Sequence, residues 1–343
     1  MQFIKPGINI DFTGKMSKAF VFSLTLILIS IVSLVIHHGP NYGIDFAGGT
    51  LIQVKFAKQV PIKQIRTGLN KLGLGDSSVQ NFGDKVNNEF LIRTSKSATG
   101  NGELSRKIIT ALTKSTGSSL KIRRIEMVGP QVGKDLREKA LFAMFYSLLF
   151  ITIYISGRFE LKWMLSGVMA GALMTAVYFL SILNVSIPIL ITAAVIVTLV
   201  LFWFLNLKYA MGAIVALIHD VTITVGVFSI LNLEFSLPII AALLTIIGYS
   251  LNDTIIVFDR IRENIKFKKK LPMAELINRS INETLSRTIL TSATTLFVLF
   301  ALFFFGGEII HNFAFAMIVG IFVGTYSSVF IASPILLAWK NKA

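Results

Sequence analysis

Long apolar runs alternate with short polar segments along most of the chain, and this pattern predicts membrane-spanning helices. A helix needs about 20 apolar residues to cross the hydrocarbon core of a bilayer. Eight runs meet this requirement, and we predict spans at 19–36, 139–156, 164–182, 186–206, 209–231, 237–258, 288–306 and 313–338. The first run follows Lys15 and Lys18, as a signal peptide would, but it has no small-residue cleavage site. We therefore interpret it as an uncleaved first helix.

Residues 39–137 contain no such run, and their shorter periodicities predict a separate α+β domain. Alternating apolar and polar residues predict strands at 50–56, 77–82, 89–94 and 120–128, with a turn at Gly83-Asp84. Apolar residues at helical spacing predict helices at 61–72 and 104–112. The order β-α-β-β-α-β is that of the ferredoxin-like split motif. The predicted fold is a polytopic α-helical membrane protein of about eight spans with one ferredoxin-like domain.

The positions of lysine and arginine orient the helices. Sixteen of the 33 lie in segments that would share one side of the membrane, another 16 lie in 37–138, and Lys139 begins the second predicted span. The short loops on the opposite side, near Asn184, at 232–238 and at 306–312, contain none. Long translocated segments are exempt from the positive-inside rule. The rule therefore places both termini in the cytoplasm and residues 39–137 on the outer, periplasmic face.

Composition narrows the class of function. The chain is 54% hydrophobic and 15% charged, whereas soluble domains carry about a quarter charged residues. It contains no cysteine, and its four histidines lack zinc-ligand spacing, which argues against thiol chemistry and a structural zinc site. Because no nucleophile–base arrangement or carboxylate pair stands out, we predict neither an enzyme nor a cofactor.

The net charge of +15 comes from basic residues in the loops and in residues 39–137. No arginine–aromatic platform accompanies them, so nucleic acid is not a predicted partner. The basic cluster at 266–270 favours anionic membrane lipids.

Asp253 is the most informative residue, because an ionisable side chain in a membrane helix costs at least ~2.5–3.5 kcal/mol near the bilayer centre. Helical spacing predicts that it shares a polar stripe with other residues of its helix: Thr245, Tyr249 and Asn252. The next helix has a matching stripe: Arg287, Thr291, Thr294 and Thr295. An Asp253–Arg287 pair that loosens on protonation would make an ion-driven switch. A static salt bridge between the two helices is the alternative.

His219 and Asp220 are the other polar pair within an apolar run. Histidine titrates near neutral pH, which suits a proton relay. Hydrogen bonding to neighbouring helices explains the pair equally well. Gly320 and Gly324 predict close helix packing rather than chemistry.

Residues 161–207 resemble the hairpin that follows them. Leu161-Lys-Trp163 corresponds to Leu207-Lys-Tyr209, and Phe179-Leu-Ser-Ile-Leu-Asn184 corresponds to Val227-Phe-Ser-Ile-Leu-Asn232. The first copy has apolar or small residues near the positions where the second has His219-Asp220 and Asn252-Asp253. Chance similarity among apolar helices remains the alternative to a true repeat.

Four motifs together resemble the SecF family, the smaller partner in the SecD–SecF protein-export complex. They are Gly43-Ile-Asp-Phe-Ala-Gly-Gly49, Val128-Gly-Pro-Gln-Val-Gly133, Gly248-Tyr-Ser-Leu-Asn-Asp-Thr254 with Asp259-Arg-Ile-Arg-Glu-Asn264, and Asn278-Arg-Ser-Ile-Asn-Glu-Thr-Leu-Ser-Arg-Thr288. They follow the family order over nearly the whole chain. The family's intramembrane acid and its basic partner fall on Asp253 and Arg287, and His219-Asp220 also matches a family motif.

The resemblance implies a bacterial inner-membrane protein with an RND-like helix bundle. It implies a SecD-like subunit, the SecYEG channel and a translocating preprotein as partners, with protons or sodium ions as the driving ion. The chain departs from the family's six helices by two spans, in 161–207, between the segments 138–160 and 208–343. A stand-alone RND-like exporter of small molecules or lipids and a structural translocon scaffold are the competing hypotheses.

Overall fold

The computed structural model of the chain describes residues 8–75, 77–83, 87–94, 101–182, 185–267 and 271–340, without the side chains of 101–104, 308, 309 and 340. In chain order the helices are α1 (Met16–Ile36), α2 (Ile44–Ala47), α3 (Ile62–Asn70), α4 (Asn101–Thr116), α5 (Pro130–Glu160), α6 (Trp163–Ile182), α7 (Ile187–Phe204), α8 (Lys208–Ile230), α9 (Leu237–Phe267), α10 (Met273–Phe305), α11 (Glu308–Ser327) and α12 (Ser333–Lys340). The strands are β1 (Gly49–Phe56), β2 (Ser78–Asn81), β3 (Glu89–Thr94) and β4 (Leu120–Val128).

Eight helical segments in the described part of the chain are long and apolar enough to cross a membrane. They confirm the predicted number of spans, and they correspond to α1, α5 to α10, and α11 continued through α12. Several helices are longer than the predicted spans. In particular, α9 and α10 extend beyond the apolar runs at the ends where they follow each other, and there Asn264 of α9 donates a 2.9 Å hydrogen bond to Ser280 of α10. Hydropathy marks only the membrane-embedded part of such a helix, which explains the difference.

A four-stranded antiparallel sheet forms the outer domain, in the order β2-β3-β1-β4. Alternate residues of β1 and β3, such as Ile52, Val54 and Ile92, are fully buried against α3 and α4. The residues between them in each strand face away from this core, because successive side chains of a strand point to opposite faces of the sheet. The predicted order β-α-β-β-α-β is therefore the observed one, and the ferredoxin-like classification stays a prediction. Asp84 in the predicted turn lies outside the described residues.

Helix α8 is the centre of the bundle, with α1, α5, α9 and α11 packed around it. Small residues make this possible: a Cβ added to Gly212 would approach the Ala332 carbonyl, and one added to Gly226 would overlap Ser30. The buried residues of α1 are likewise mostly serines, and two of them, Ser30 and Ser33, contact α8. Lipid gives no hydrophobic drive for helix association, so close packing and interhelical hydrogen bonds stabilise these contacts.

The hairpin of α6 and α7 packs on α5 and α8 at the side of the bundle. A cluster that includes Phe145, Leu149, Ala170 and Leu190 fills the interface. The residues that flank the hairpin lie close together. Glu160, just before it, accepts a 2.9 Å hydrogen bond at Oε1 from the backbone N–H of Tyr209, just after it. The segments that flank the hairpin, α5 and α8, therefore meet directly at its base. Asn184, between the two helices, and Lys268 to Lys270 of the basic cluster lie outside the described residues.

Candidate functional site

Asp253 lies in the interior of the bundle, where its side chain faces α10 and α11. Only 5% of the residue is exposed. Its Oδ2 accepts a long hydrogen bond of 3.4 Å from the Ser292 hydroxyl of α10. The Ser292 and Thr325 hydroxyls lie 2.7 Å apart, so the acid is linked to α11 as well. Asp253 is thus a buried acid surrounded by hydroxyl groups.

The residues of the polar stripe predicted for α9 differ in burial. Tyr249 is 41% exposed, and Thr245 and Asn252 are also exposed, whereas Asp253 is buried. Asn252 and Asp253 are adjacent in sequence, so their side chains lie about 100° apart around the helix. Asp253 therefore lies at the buried edge of the stripe, where α9 packs against α10.

The residues of the stripe predicted for α10 are exposed or only partly buried. Arg287 is exposed, and its carbonyl accepts a 2.9 Å hydrogen bond from the Thr291 hydroxyl of the same helix. The face of α10 that meets α9 instead carries Thr284, Thr288 and Ser292, at helical spacing. The Thr288 hydroxyl is buried without a partner in the described structure. An Asp253–Arg287 pair in an ionised state stays a prediction.

Asp220 of α8 is fully enclosed, with none of its surface exposed. Its Oδ2 accepts hydrogen bonds from Ser250 of α9 at 2.5 Å and from Ser327 of α11 at 2.8 Å. Its Oδ1 lies 2.8 Å from Nδ1 of His219. One carboxyl group therefore joins three helices, which supports the hydrogen-bonding interpretation of this pair and leaves the relay role a prediction.

His219 has an unsatisfied atom, because its Nε2 is buried without a hydrogen-bond partner in the described structure. The imidazole lies parallel to the Tyr326 ring, with centroids 6.2 Å apart. Tyr326 in turn donates its hydroxyl to the Ala19 carbonyl of α1 at 2.8 Å and accepts from Ser23 at 3.0 Å. Tyr326 thereby connects the pair to α1.

Neighbouring residues of two helices connect the acids. On α9, Ser250 contacts Asp220 and the Asp253 side chain follows one turn later. On α11, Thr325 contacts Ser292 and Ser327 contacts Asp220. The two carboxyl groups thus belong to one polar layer across α8, α9, α10 and α11.

A π-helix, Ser328–Ala332, follows this layer directly and separates α11 from α12. Short π-helical turns inside α-helices are rare and frequently occur at functional sites. The Ser328 and Ser333 hydroxyls satisfy backbone carbonyls here, at 2.9 and 3.0 Å. The widened turn therefore lies next to the residues of α11 that contact both acids.

A hydroxyl group both donates and accepts hydrogen bonds, so the serines and threonines of the layer can pair with each carboxyl group in its ionised or its protonated form. Among the described residues, no group of three or more His, Cys, Asp or Glu could hold a metal ion. Sequence reasoning missed the hydroxyl partners Ser250, Ser292, Thr325 and Ser327. In the sequence these residues are marked only by their helical spacing from the acids or from other polar residues. This signal is weak, because serine and threonine are common in membrane helices.

Two protein families match the chain. The family described as protein export membrane protein SecD/SecF, C-terminal, matches residues 108–199 and 181–342. The SecD/SecF GG motif matches residues 33–60. The two C-terminal matches overlap within the α6–α7 hairpin, as a duplicated hairpin would produce.

Individual relatives agree with these matches. The protein translocase subunit SecF of Calditerrivibrio nitroreducens is 41% identical over 345 residues, covering 99% of this chain and 97% of the relative. The same subunit of Vibrio alginolyticus is 43% identical over 337 residues, covering 98% and 91%. The crystal structure of SecDF, a translocon-associated membrane protein from Thermus thermophilus, superimposes with a TM-score of 0.76 at 34% identity and covers 98% of this chain. This chain spans 39% of the length of that structure's chain.

Proposed function

Because the chain belongs to the SecF family of protein-export membrane proteins, we propose that it is an accessory subunit of the Sec export machinery. The support is full-length similarity to translocase subunits together with the SecDF fold. It is a multi-pass membrane protein, and its proposed location is the bacterial inner membrane. The proposed orientation has cytoplasmic termini and a periplasmic outer domain, in accord with the distribution of lysine and arginine. The role is transport rather than covalent catalysis.

The proposed mechanism uses the ion-motive force to drive conformational change through Asp253. The observation that carries it is a buried acid held by one long hydrogen bond from Ser292. When the carboxyl group at such a site loses its proton, it needs additional hydrogen-bond donors or a nearby positive charge. The proposed consequence is a change in how α9, α10 and α11 pack together. Arg287 is the proposed partner of the ionised form, and Thr291 beside it is part of the same face. His219 and Asp220 form a second proposed proton-responsive pair. Protons are the proposed ion, with sodium as the alternative.

The proposed partner in the membrane is a SecD-like subunit. Tyr249 and Asn252 of α9 expose polar groups in a membrane span, as does Arg287 of α10 near its inner end. Polar groups at this depth are unfavourable against lipid and normally face protein or a water-filled cavity. A second helical subunit on this face would provide that environment. SecYEG, a translocating preprotein and surrounding lipids complete the proposed set of partners.

The test is Asp253→Asn in a strain depleted of the native protein, with export of a periplasmic reporter followed while the ion-motive force is intact. We expect the acceleration that depends on the ion-motive force to be lost at a normal membrane level of the variant. The matched control is Asp259→Asn, the same chemical change at an inner-face ion pair with Arg158. Full export by Asp253→Asn would exclude the switch and favour a scaffold. Failure to co-purify with a SecD-like subunit would favour a stand-alone exporter.

A further inference from the structure

The glycine-rich segment between α1 and β1 is held tightly against the start of α5. Gly48 has φ +73°, and an added Cβ would lie 2.8 Å from the Pro130 Cα. A Cβ on Gly133 would lie 2.9 Å from the Gly48 nitrogen and 3.0 Å from the Phe46 carbonyl oxygen. Both positions therefore require glycine, because larger residues would separate the segment from α5. The chain itself connects the outer domain to α1 and α5.

A second set of contacts connects this segment to the loop of residues 231–236, which precedes α9. Gly43 N–H donates to the Phe235 carbonyl at 2.9 Å, and Phe235 N–H donates to the Asn41 carbonyl at 2.8 Å. The rings of Tyr42, Phe46 and Phe235 pack together with centroid distances between 6.0 and 6.3 Å. The loop is thus fixed to the outer domain by backbone and aromatic contacts.

Asp45 makes the contact that reaches α9 itself. Its Oδ2 accepts a 2.9 Å hydrogen bond from the N–H of Leu237, the first residue of the helix. The N–H groups of a first helical turn have no partner within the helix, and a carboxylate there also interacts favourably with the helix dipole. Asp45 thereby links the motif that begins the outer domain to the end of the helix that carries Asp253.

The sheet supplies an independent contact to the same loop. Arg93 of β3 forms an ion pair with Glu234, and both side chains are largely shielded from solvent. Arg93 lies on the face of the sheet opposite the α3–α4 core, beside a cavity of about 560 Å³ between the domain and the outer loops. Two regions of the outer domain, the glycine-rich segment and the sheet, therefore contact one short loop.

We propose that the 231–236 loop couples the outer domain to Asp253, with Asp45 and the Arg93–Glu234 pair as positioning residues. This inference rests on the proposed function. Helix α9 runs uninterrupted from Leu237 to Asp253, about 24 Å at 1.5 Å per residue, and an unbroken helix transmits a displacement along its axis. Domain and helix consequently move as one body when the protonation of Asp253 changes.

The test replaces the ion pair by a removable covalent link. The chain contains no cysteine, so Arg93→Cys/Glu234→Cys introduces its only two thiols. A bis-methanethiosulfonate reagent can span the gap now bridged by two long side chains, and a reducing agent removes it. We expect the unlinked variant to lose part of the export that depends on the ion-motive force, the linked variant to regain it, and reduction to abolish the gain. Native behaviour without the link, or a block by the link, would overturn the proposal.

Asp45 is tested by a matched pair of variants. Asp45→Asn keeps an oxygen that accepts from Leu237, whereas Asp45→Ala does not. We expect Asp45→Ala to reduce the increment due to the ion-motive force by about twofold to fivefold and Asp45→Asn to keep most of it. Equal activity of the two variants would contradict the positioning role.

The native protein and Asp253→Asn are assayed alongside these variants. If their difference vanishes, the proposed function fails. If it persists while the junction variants behave as native, only the coupling inference fails.

Discussion

The Ser250 hydroxyl of α9 donates a 2.5 Å hydrogen bond to the Asp220 carboxyl group of α8, one turn before Asp253. The contact joins two central helices of the bundle and places both acids in one polar layer. A change in the hydrogen bonding of either acid therefore alters the contacts of the same segment of α9.

Replacing Asp220 by alanine should destabilise the bundle. The Ser250 and Ser327 hydroxyls would lose their common acceptor, and unsatisfied buried donors cost about 1–3 kcal/mol each. We expect the free energy of unfolding to fall by about 2–3 kcal/mol, with a smaller loss for Asp220→Asn, which keeps an acceptor. Thermal unfolding in detergent measures the change, with the exposed Thr294→Ala as control. An unchanged midpoint for Asp220→Ala would contradict the three-helix contact.

Replacing Gly324 by alanine should force α11 away from α9. The added Cβ would lie 2.9 Å from the Ser250 Cβ, which is closer than carbon atoms approach. We expect a loss of about 1–3 kcal/mol in the free energy of unfolding, as overpacking typically causes. Gly171→Ala in α6 is the matched control. Nothing lies within 4 Å of its Cβ, and it should be neutral or slightly stabilising. Equal midpoints for the two variants would rule out tight packing at Gly324.

Deleting residues 161–207 should leave the rest of the bundle folded. The ends of the hairpin already meet at the Glu160–Tyr209 hydrogen bond, so a short glycine–serine linker can join them. The cluster around Phe145 and Leu149 would then face lipid, which is as apolar as the helices removed. We expect normal membrane levels and, on the proposed function, retained export. A matched control carries the same linker after Glu160 with the hairpin present. Loss of export at a normal level only in the deletion would show that the hairpin takes part.

Acid should weaken the outer domain partly through Glu89. Partial burial raises the pKa of this carboxyl group, but hydrogen bonds from Gln53 and Lys55 and the charges of Lys55 and Arg123 outweigh it and lower the pKa below its ordinary value of 4.5. The ionised form therefore stabilises the fold above that value, and the contribution is lost as the pH falls through the lowered pKa. We expect Glu89→Gln to be less stable than the native protein at neutral pH, with the difference shrinking as the pH falls below about 4. Unfolding of the full chain monitored between pH 3 and 7, by hydrogen exchange of β1 and β3, measures this. A constant difference across the range would contradict it.

The sequence by itself determined the eight spans, the six elements of the outer domain and the two acids inside the membrane. These features depend on local properties: the length of an apolar run, a period of two or 3.6 residues, and a charge among apolar neighbours. Glu89–Thr94 and Leu120–Val128 were predicted with their observed bounds for this reason.

Only the tertiary structure decided which side of each helix faces the acids. The sequence spacing favoured Arg287 and Thr291 as neighbours of Asp253, whereas packing turned Thr288 and Ser292 inward and left Arg287 exposed. Serine and threonine leave little trace of this in a sequence, because their hydroxyls can bond to a carbonyl of their own helix wherever they stand. The contact of Asp45 with Leu237 joins residues 192 positions apart, and no local period records it. Helix rotation and long-range contacts depend on the whole bundle.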